Sequence, residues 1–565
     1  MKAVGRTMKR AIVAAACLVA AMAHAQEPAA LNAADVDPIF AAWNRADSAG
    51  MAVTVIERGV TTFSKGYGSA QLEHDIPITD RTVFHAASIS KQFTAMAILL
   101  LEQEGKLSLD ATVGQYLDWA PHTTHAITVR QLIFHTSGLR DMTDLLKVAG
   151  WHDGDVVTQQ QVRYLVSRQR ELNFTPGSRH EYTNSGYFLL AEIVAAVSGQ
   201  SLREFAEQRI FKPLGMHDTH FHDDPTMIVR NRAYSYETAP DGHVRDALLN
   251  YATVGSTGLL TTSRDLALWL DNFRTARVGG RAVIEKMQQT GVLNDGTRID
   301  YAYGITVGDF LGRKVLWHGG LDAGFRSIVL WFPESDTGLV LLSNLADVVP
   351  ATPIAKLAGL LFPAAPASAT AAAVSSGAEQ GEREPYADFA GEYLTDLGEP
   401  IRIRSEHGLL SMRFQDRWHE LTPVGPNEFV AAAANVQLKF PEAGSSDDAR
   451  FIYVGHPLRA RRIERIAPPP QAALAALEGI YFSPEIDTYY RVCIGAGRGQ
   501  LALQGGRIGS LPLSYFDPDL FVSDYFQQVR FVRNQAGTPT ALRIAIGRMP
   551  AGIEFRRVAI DGACQ

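Results

Sequence analysis

A break in texture after residue 362 constrains this chain more than any other feature. From 363 to 385 it reads PAAPASATAAAVSSGAEQGEREP. That is Ala, Ser, Gly and Pro with almost nothing to bury, which is how a linker is built. The sequence before the break mixes strand and helix signals. After it come short alternating strands, such as Ile401-Arg402-Ile403-Arg404, and few helix signals. Each side therefore needs its own core, and a chain of 565 residues is long enough for several. Apolar residues make up 46% and charged residues 20%, the balance of ordinary globular material. The net charge of −7 leaves no broad basic face, so nucleic acid is not an expected partner.

The chain opens with Lys2, Arg6, Lys9 and Arg10, then an apolar stretch from Ala11 to Met22, then Ala23-His24-Ala25. A positive start, an apolar middle and a small-x-small site predict a signal peptide over 1–25, hence a periplasmic or secreted protein. No later run approaches the roughly 18 apolar residues of a membrane-spanning helix, so no stable membrane span is expected. Cleavage at that site leaves Cys493 and Cys564. An oxidising compartment permits them to pair, but the sequence does not fix the geometry.

Before the linker, Ala52 to Ile56 and Gly66-Tyr67-Gly68 predict an opening strand pair. Ser88 to Glu104 predicts a helix, with Ile89, Phe93, Met96, Ala97 and Leu100 on one stripe. Leu189 to Val197 predicts another. Ile328 to Phe332 and Leu339 to Leu342 predict a hairpin across Pro333 to Gly338. After the linker there is an internal repeat. Phe389-Ala390-Gly391-Glu392-Tyr393-Leu394 matches Leu477-Glu478-Gly479-Ile480-Tyr481-Phe482. Further on, Glu428-Phe429-Val430 matches Leu520-Phe521-Val522, and Leu438-Lys439-Phe440 matches Val529-Arg530-Phe531. The order is kept, which predicts two small antiparallel β-barrels or sandwiches over 386–467 and 471–565.

The chemistry begins at Ser88-Ile89-Ser90-Lys91. Lys91 alone among the lysines has a Ser three residues before it. That spacing puts both side chains on one helix face. The unpaired N–H groups of a helix start favour an oxyanion, and the same dipole disfavours an ammonium at Lys91. A neutral Lys91 can take the Ser88 proton and make a nucleophile. A capping Ser followed by a solvated Lys is common, so the tetrapeptide draws its weight from two further motifs. Tyr182-Thr183-Asn184 is the sole Tyr-x-Asn in the chain, on a loop before a helix. A phenol beside a cation can move protons, and an Asn amide can orient a carbonyl. His318-Gly319-Gly320 ends the strand Val315-Leu316-Trp317. Its glycines leave the backbone bare for a ligand to pair with the edge.

Taken in order, the three motifs resemble those of the penicillin-recognising serine hydrolases, which include DD-peptidases, class C β-lactamases, related esterases and D-aminopeptidases. The resemblance runs from about Ala52 to Leu361. It is reinforced by ITVRQLIFHTSGL at Ile127–Leu139, by Pro213-Leu214-Gly215-Met216 and by Gly258-Leu259-Leu260-Thr261-Thr262-Ser263. It implies an α+β, β-lactamase-like catalytic domain over 26–362, with an antiparallel sheet flanked by helices and lipocalin-like barrels behind it. It also implies Ser88 as acylated nucleophile, Lys91 as base and Tyr182 as proton relay. Asn184 would hold the substrate amide, and His318 would stand where many members carry Lys. The N–H groups of Ser88 and Leu321, flanking Gly320, would form the oxyanion hole. No cofactor or metal is implied.

Two departures refine this. Carboxylate-binding members carry hydroxyls where this chain has Gly319 and Leu321, which lowers carboxypeptidase and β-lactamase readings. His-Gly-Gly followed by two barrels is instead similar to D-aminopeptidases, in which a loop of the last barrel limits access to the site. Phe516-Asp517-Pro518-Asp519 lies in a comparable place. Asp517 and Asp519 are either partners for a substrate ammonium or a solvated acidic turn. His217, His220 and His222 crowd one segment, but no H-E-x-x-H pattern accompanies them. The expected substrate is a small D-amino-acid peptide, amide or ester, with peptidoglycan fragments as a source. The rivals are an esterase, a weak β-lactamase or DD-carboxypeptidase with the same triad, and a non-catalytic peptidoglycan- or ligand-binding protein.

Overall fold

The computed structural model describes residues 31–362 and 386–559, apart from positions 153, 240, 311, 396–399, 407, 415–416, 432–435, 443–447, 454–455, 465–466, 468, 496–499, 524, 548 and 550. The expected signal peptide, the linker and Cys564 lie outside the described residues. Cys493 is buried and disulfide-bonded.

Six strands form the central antiparallel sheet: β1 (Met51–Glu57), β2 (Val60–Tyr67), β3 (Thr306–Phe310), β4 (Arg313–Asp322), β5 (Phe325–Phe332) and β6 (Thr337–Ser343), in the order β3-β4-β5-β6-β1-β2. The expected opening pair is there, with Ala52 opposite Gly66. The expected hairpin is β5–β6, with Ile328 opposite Leu341. β1, β5 and β6 are buried along their whole length, which is why they read as continuous apolar runs rather than as alternation. Helices cover the sheet. One of them, α1 (Ser90–Gln103), is buried from Ser90 to Leu101 and forms the centre of the core on its side. α2 (Asn184–Ser198) packs against it and ends on Gly199 in the left-handed conformation.

β4 departs from expectation. The motif His318-Gly319-Gly320 does not end the strand; the strand continues to Asp322, with Gly319 opposite Ile328 and Gly320 opposite Ser327. β3 stops in register with Trp317. Beyond that point β4 pairs on its β5 side alone, among the described residues.

Behind the linker, eight strands from Gly391–Thr395 to His456–Ile463 close into a barrel. Nine more, from Gly479–Ser483 to Ile553–Ala559, curl into a nearly closed one. The repeat is physical. Gly391 and Gly479 have φ of 158° and 157°, Tyr393 donates to Phe389 O at 2.9 Å, and Tyr481 donates to Leu477 O at 2.8 Å. The extra strand arises because Gly509–Pro512 and Ser514–Asp517 are separate, and each pairs on one side only. Among the described residues, no helix is long and apolar enough to cross a membrane.

Candidate active site

Ser88 lies in a tight turn, Ala87–Ile89, that runs into α1. Ala87 is held at φ 48°, a strained region for a residue with a Cβ. Such a conformation persists where its surroundings over-determine it, and here they do. Ser327 Oγ of β5 donates to Ala86 O at 2.8 Å, and Ala86 N–H donates to Leu259 O at 2.9 Å. Ser90 Oγ donates to Ala87 O at 2.6 Å and accepts from Leu259 N–H at 3.1 Å. β4 crosses this turn so closely that a Cβ on Gly320 would meet Ala86 O at 2.4 Å and Ser327 Oγ at 2.2 Å. The second glycine of the motif is thus what lets strand and turn meet.

One turn further along α1, Lys91 is fully buried. Its Nζ lies 3.0 Å from Ser88 Oγ, 2.9 Å from Asn184 Oδ1 and 2.8 Å from the Ser256 carbonyl. The latter two atoms can only accept. Charged, the amine donates to all three; once uncharged it keeps two N–H groups for these acceptors and has one lone pair to offer the Ser88 hydroxyl. The arrangement can therefore take up the Ser88 proton without breaking either of the other bonds. Tyr182 closes the group: Lys91 Nζ stands 4.7 Å from its ring centroid.

The loop carrying Tyr182 and Asn184 is set by the segment His135–Asp141, part of which appeared in the sequence only as a family-like string. His135 accepts from Thr183 N–H through Nδ1 at 3.2 Å, its carbonyl accepts from Glu181 N–H at 2.9 Å, and its ring lies 4.3 Å from that of Tyr182. Asp141, fully buried, caps the helix Met142–Val148 and accepts from Asn184 N–H at 2.6 Å. Its other oxygen stands 3.4 Å from Asn184 Nδ2, which turns Asn184 Oδ1 toward Lys91. Asp141, His135 and Ser256 were missed by sequence reasoning. The N-cap pattern of Asp141 was the one readable signal.

His318 sits beside Tyr182 and is held by the protein on both ring nitrogens. Its ring is buried between two protein partners. Nδ1 lies 2.6 Å from Gly319 O and so donates; Nε2, 3.1 Å from Tyr301 Oη, accepts. Burial, with the Lys91 charge nearby, pushes the imidazole down to about 3. It stays uncharged, and it faces Tyr182 at 6.2 Å between ring centroids. Leu321, next in β4, is the exposed residue at 69%, on the stretch that β3 leaves uncovered. Asp322, at the strand's end, is joined to His85 at 3.1 Å and to Thr257 at 2.9 Å. This ties the end of β4 to the strand Phe84–His85 that leads into Ser88.

Asp517 and Asp519 lie in a hairpin of the last barrel. Both Asp519 oxygens accept from Arg533 Nε at 2.9 Å, in a turn where Asp519 has φ 59°. The neighbouring Phe516, Leu520 and Val522 pack against Leu394 and Ile463 of the other barrel. This hairpin serves barrel-to-barrel packing. The last barrel meets the catalytic domain through other segments: Tyr490 donates to Val148 O at 2.7 Å, His152 to Arg507 O at 2.8 Å, and Arg168 to Pro484 O at 2.7 Å. His220 and His222 stand with rings 5.9 Å apart, each pushed down to about 4, chiefly by burial. Among the described residues no group of His, Cys, Asp and Glu is arranged to hold a metal.

A family model described as Beta-lactamase matches residues 30–361, more than half of the chain. Penicillin-binding protein 4* of Bacillus subtilis is 27% identical over 416 residues, covering 69% of this chain and 89% of that protein. A D-aminopeptidase of Gluconobacter oxydans is 26% identical over 442 residues, covering 78% and 80%. The octameric penicillin-binding protein homologue from Pyrococcus abyssi superposes with a TM-score of 0.51 at 22% identity, over 81% of this chain and 94% of that one. The D-amino acid amidase of Ochrobactrum anthropi does so at 0.50 and 22%, over 58% and 96%. These two likenesses show the fold. With the family model spanning the whole sheet and the Ser88 turn, the chain belongs to the beta-lactamase family and is a serine hydrolase of the superfamily that holds β-lactamases and penicillin-binding proteins.

Proposed function

We propose that this is an exported, D-aminopeptidase-like hydrolase that cleaves amide or ester bonds of small D-amino-acid-containing substrates through an acyl-enzyme on Ser88. The observation that carries this reading is the Lys91 contact set, in which the buried Nζ stands 3.0 Å from Ser88 Oγ with Asn184 Oδ1 and the Ser256 carbonyl as its other acceptors. In the first half-reaction Ser88 Oγ bonds to the substrate carbonyl carbon as its proton passes to Lys91 Nζ. The N–H groups of Ser88 and Leu321 hold the oxyanion. Tyr182 relays the proton to the departing amine or alkoxide as the scissile bond breaks. In the second half-reaction water, deprotonated by the same Tyr182/Lys91 pair, adds to the acyl carbon, and Ser88 leaves with its proton restored.

The substrate class rests on charge. Gly319 and Leu321 offer no hydroxyl, and His318 is uncharged. A substrate ending in a carboxylate finds no cation in the third motif, which favours amides and esters over D-Ala-terminated peptides and β-lactams. The D-aminopeptidase likeness over 78% of the chain points the same way. Parallel assays with D-alanine p-nitroanilide, a p-nitrophenyl ester and a cephalosporin test the reading. Anilide turnover above cephalosporin turnover, lost in Ser88→Ala, is the expected result. Faster cephalosporin turnover would reject it in favour of a β-lactamase. No Ser88 adduct with any acylating probe would leave a binding protein. Export is checked by the mass of the periplasmic or secreted chain, expected to begin at Gln26.

A further inference from the structure

A buried ion pair joins the last barrel to the segment that leads into Asp141. Arg140, whose side chain is 1% exposed, points away from the site into the interface. Its Nη1 donates to Glu485 of the barrel at 2.6 Å, and its Nη2 donates to the barrel's Gly552 O at 3.2 Å and to Glu171 at 2.9 Å. Glu485 has a side chain only 8% exposed. On the catalytic side, the Arg140 carbonyl accepts from Ser185 Oγ at 2.6 Å, and the next residue, Asp141, holds the Asn184 backbone at 2.6 Å. Asn184 in turn holds Lys91 at 2.9 Å. One short extended segment is therefore gripped by the barrel on one side and grips the general-base constellation on the other.

From this juxtaposition we infer that Arg140 and Glu485 are positioning residues. Their cross-domain ion pair fixes the Asp141 backbone, so that Asn184 Oδ1 stays at Lys91 and Lys91 Nζ stays beside Ser88 Oγ. The inference rests on the acyl-enzyme reading of Ser88. It makes the barrel a part of the catalytic apparatus through a contact that never touches substrate. Removing Glu485 leaves a buried guanidinium short of its closest partner, and the segment carrying Asp141 must shift to hydrate it.

The test is the labelling of Ser88 in the full chain by a fluorophosphonate, followed by intact mass, with kinact and KI determined separately. Glu485→Gln keeps the shape and removes the charge. It is expected to lower kinact about ten-fold with KI unchanged, since misplacement of a catalytic group acts on the reacting step rather than on probe capture. Arg507→Ala is the control at the same interface: Arg507 pairs with Asp155 at 2.7 Å and lies 4.6 Å from the Trp151 ring, away from Arg140. It should leave kinact unchanged. An unaltered kinact in Glu485→Gln overturns the inference, and so does an equal loss in Arg507→Ala, which would mark general loosening of the docked barrel. Should Glu485→Gln not fold, the paired Arg140→Met/Glu485→Met variant keeps the interface filled without charge and is judged by the same two outcomes. Absence of labelling in the parent protein would overturn the Ser88 reading itself, a failure distinct from an unchanged variant.

Discussion

The two barrels come from one repeated plan yet stand in different relations to the catalytic domain. Among the described residues, most of the last barrel's core is continuous with that of the catalytic domain. Tyr490, Phe526 and Phe555 belong to the same continuous buried cluster as Leu145, Leu146 and α1. The middle barrel has a separate core, with Phe429, Phe440 and Phe451 among its members, and meets its neighbour at Leu394 and Ile463. A shared core makes two units fold and melt as one, whereas a separate core allows independent opening. A repeat in sequence thus preserves how strands pair but not what the outer surface is for.

Deletion separates the two most sharply. Truncation after residue 467 strips the cover from Leu145 and Leu146 and removes Glu485 from Arg140. Loss of Ser88 labelling on the order of 10²-fold or more is expected, since misplacement by about 1 Å is enough for that. Excision of 386–467 with the ends rejoined should leave labelling within a small factor of the parent. Equal losses in both would end the distinction. Next in size is Phe555→Ala against Phe429→Ala. Each empties a buried ring site, at a cost of about 3–5 kcal/mol. Calorimetry should show the first lowering the transition of the catalytic domain and the second lowering a separate, smaller one. A single transition moved by both would join the barrels after all.

The legibility of the chain follows the same division. Ser88, Lys91, Tyr182 and Asn184 were readable because each motif is local, and the structure gathers them around one amine. The repeat was readable because Gly391/Tyr393 and Gly479/Tyr481 solve the same local problem twice. What could not be read was partnership between distant segments. Nothing near Asp517 announces that its hairpin packs on the middle barrel. Nothing near Arg140 announces a glutamate 345 residues away. The charge state of His318 was not readable because it depends on burial and on Tyr301, and neither is local. The strand end was misplaced because two glycines read as a stop, when in fact they admit a close crossing over Ala86.

Acid should weaken the catalytic domain selectively. His318, His220 and His222 are pushed from 6.5 down to about 3, 4 and 4, with burial the leading cause. The unfolded chain takes up these protons near 6.5 and the folded one does not until much lower pH. Stability is therefore full above about 6.5 and is lost as pH falls toward 4, at up to about 1.4 kcal/mol per pH unit for each fully buried histidine. Melting followed from pH 7.5 to 5 should show the larger transition falling, and His318→Asn should flatten that fall. A slope unchanged by the substitution would place the acid sensitivity elsewhere.

The finest discrimination uses the repeat itself. Tyr393→Phe and Tyr481→Phe delete the same hydroxyl from the same motif, each time removing one bond to a carbonyl four residues back. Each should cost about 1 kcal/mol, the net worth of a single hydrogen bond. The costs should be near equal, but the transitions they register in should differ. Tyr481 belongs to the cluster shared with the catalytic domain and Tyr393 to the separate one. Tyr481→Phe should lower the large transition, and with it the temperature at which Ser88 labelling is lost. Tyr393→Phe should leave that temperature in place. If both move it alike, the middle barrel is coupled to the site through its contact at Leu394 and Ile463, and that small apolar patch carries more than packing.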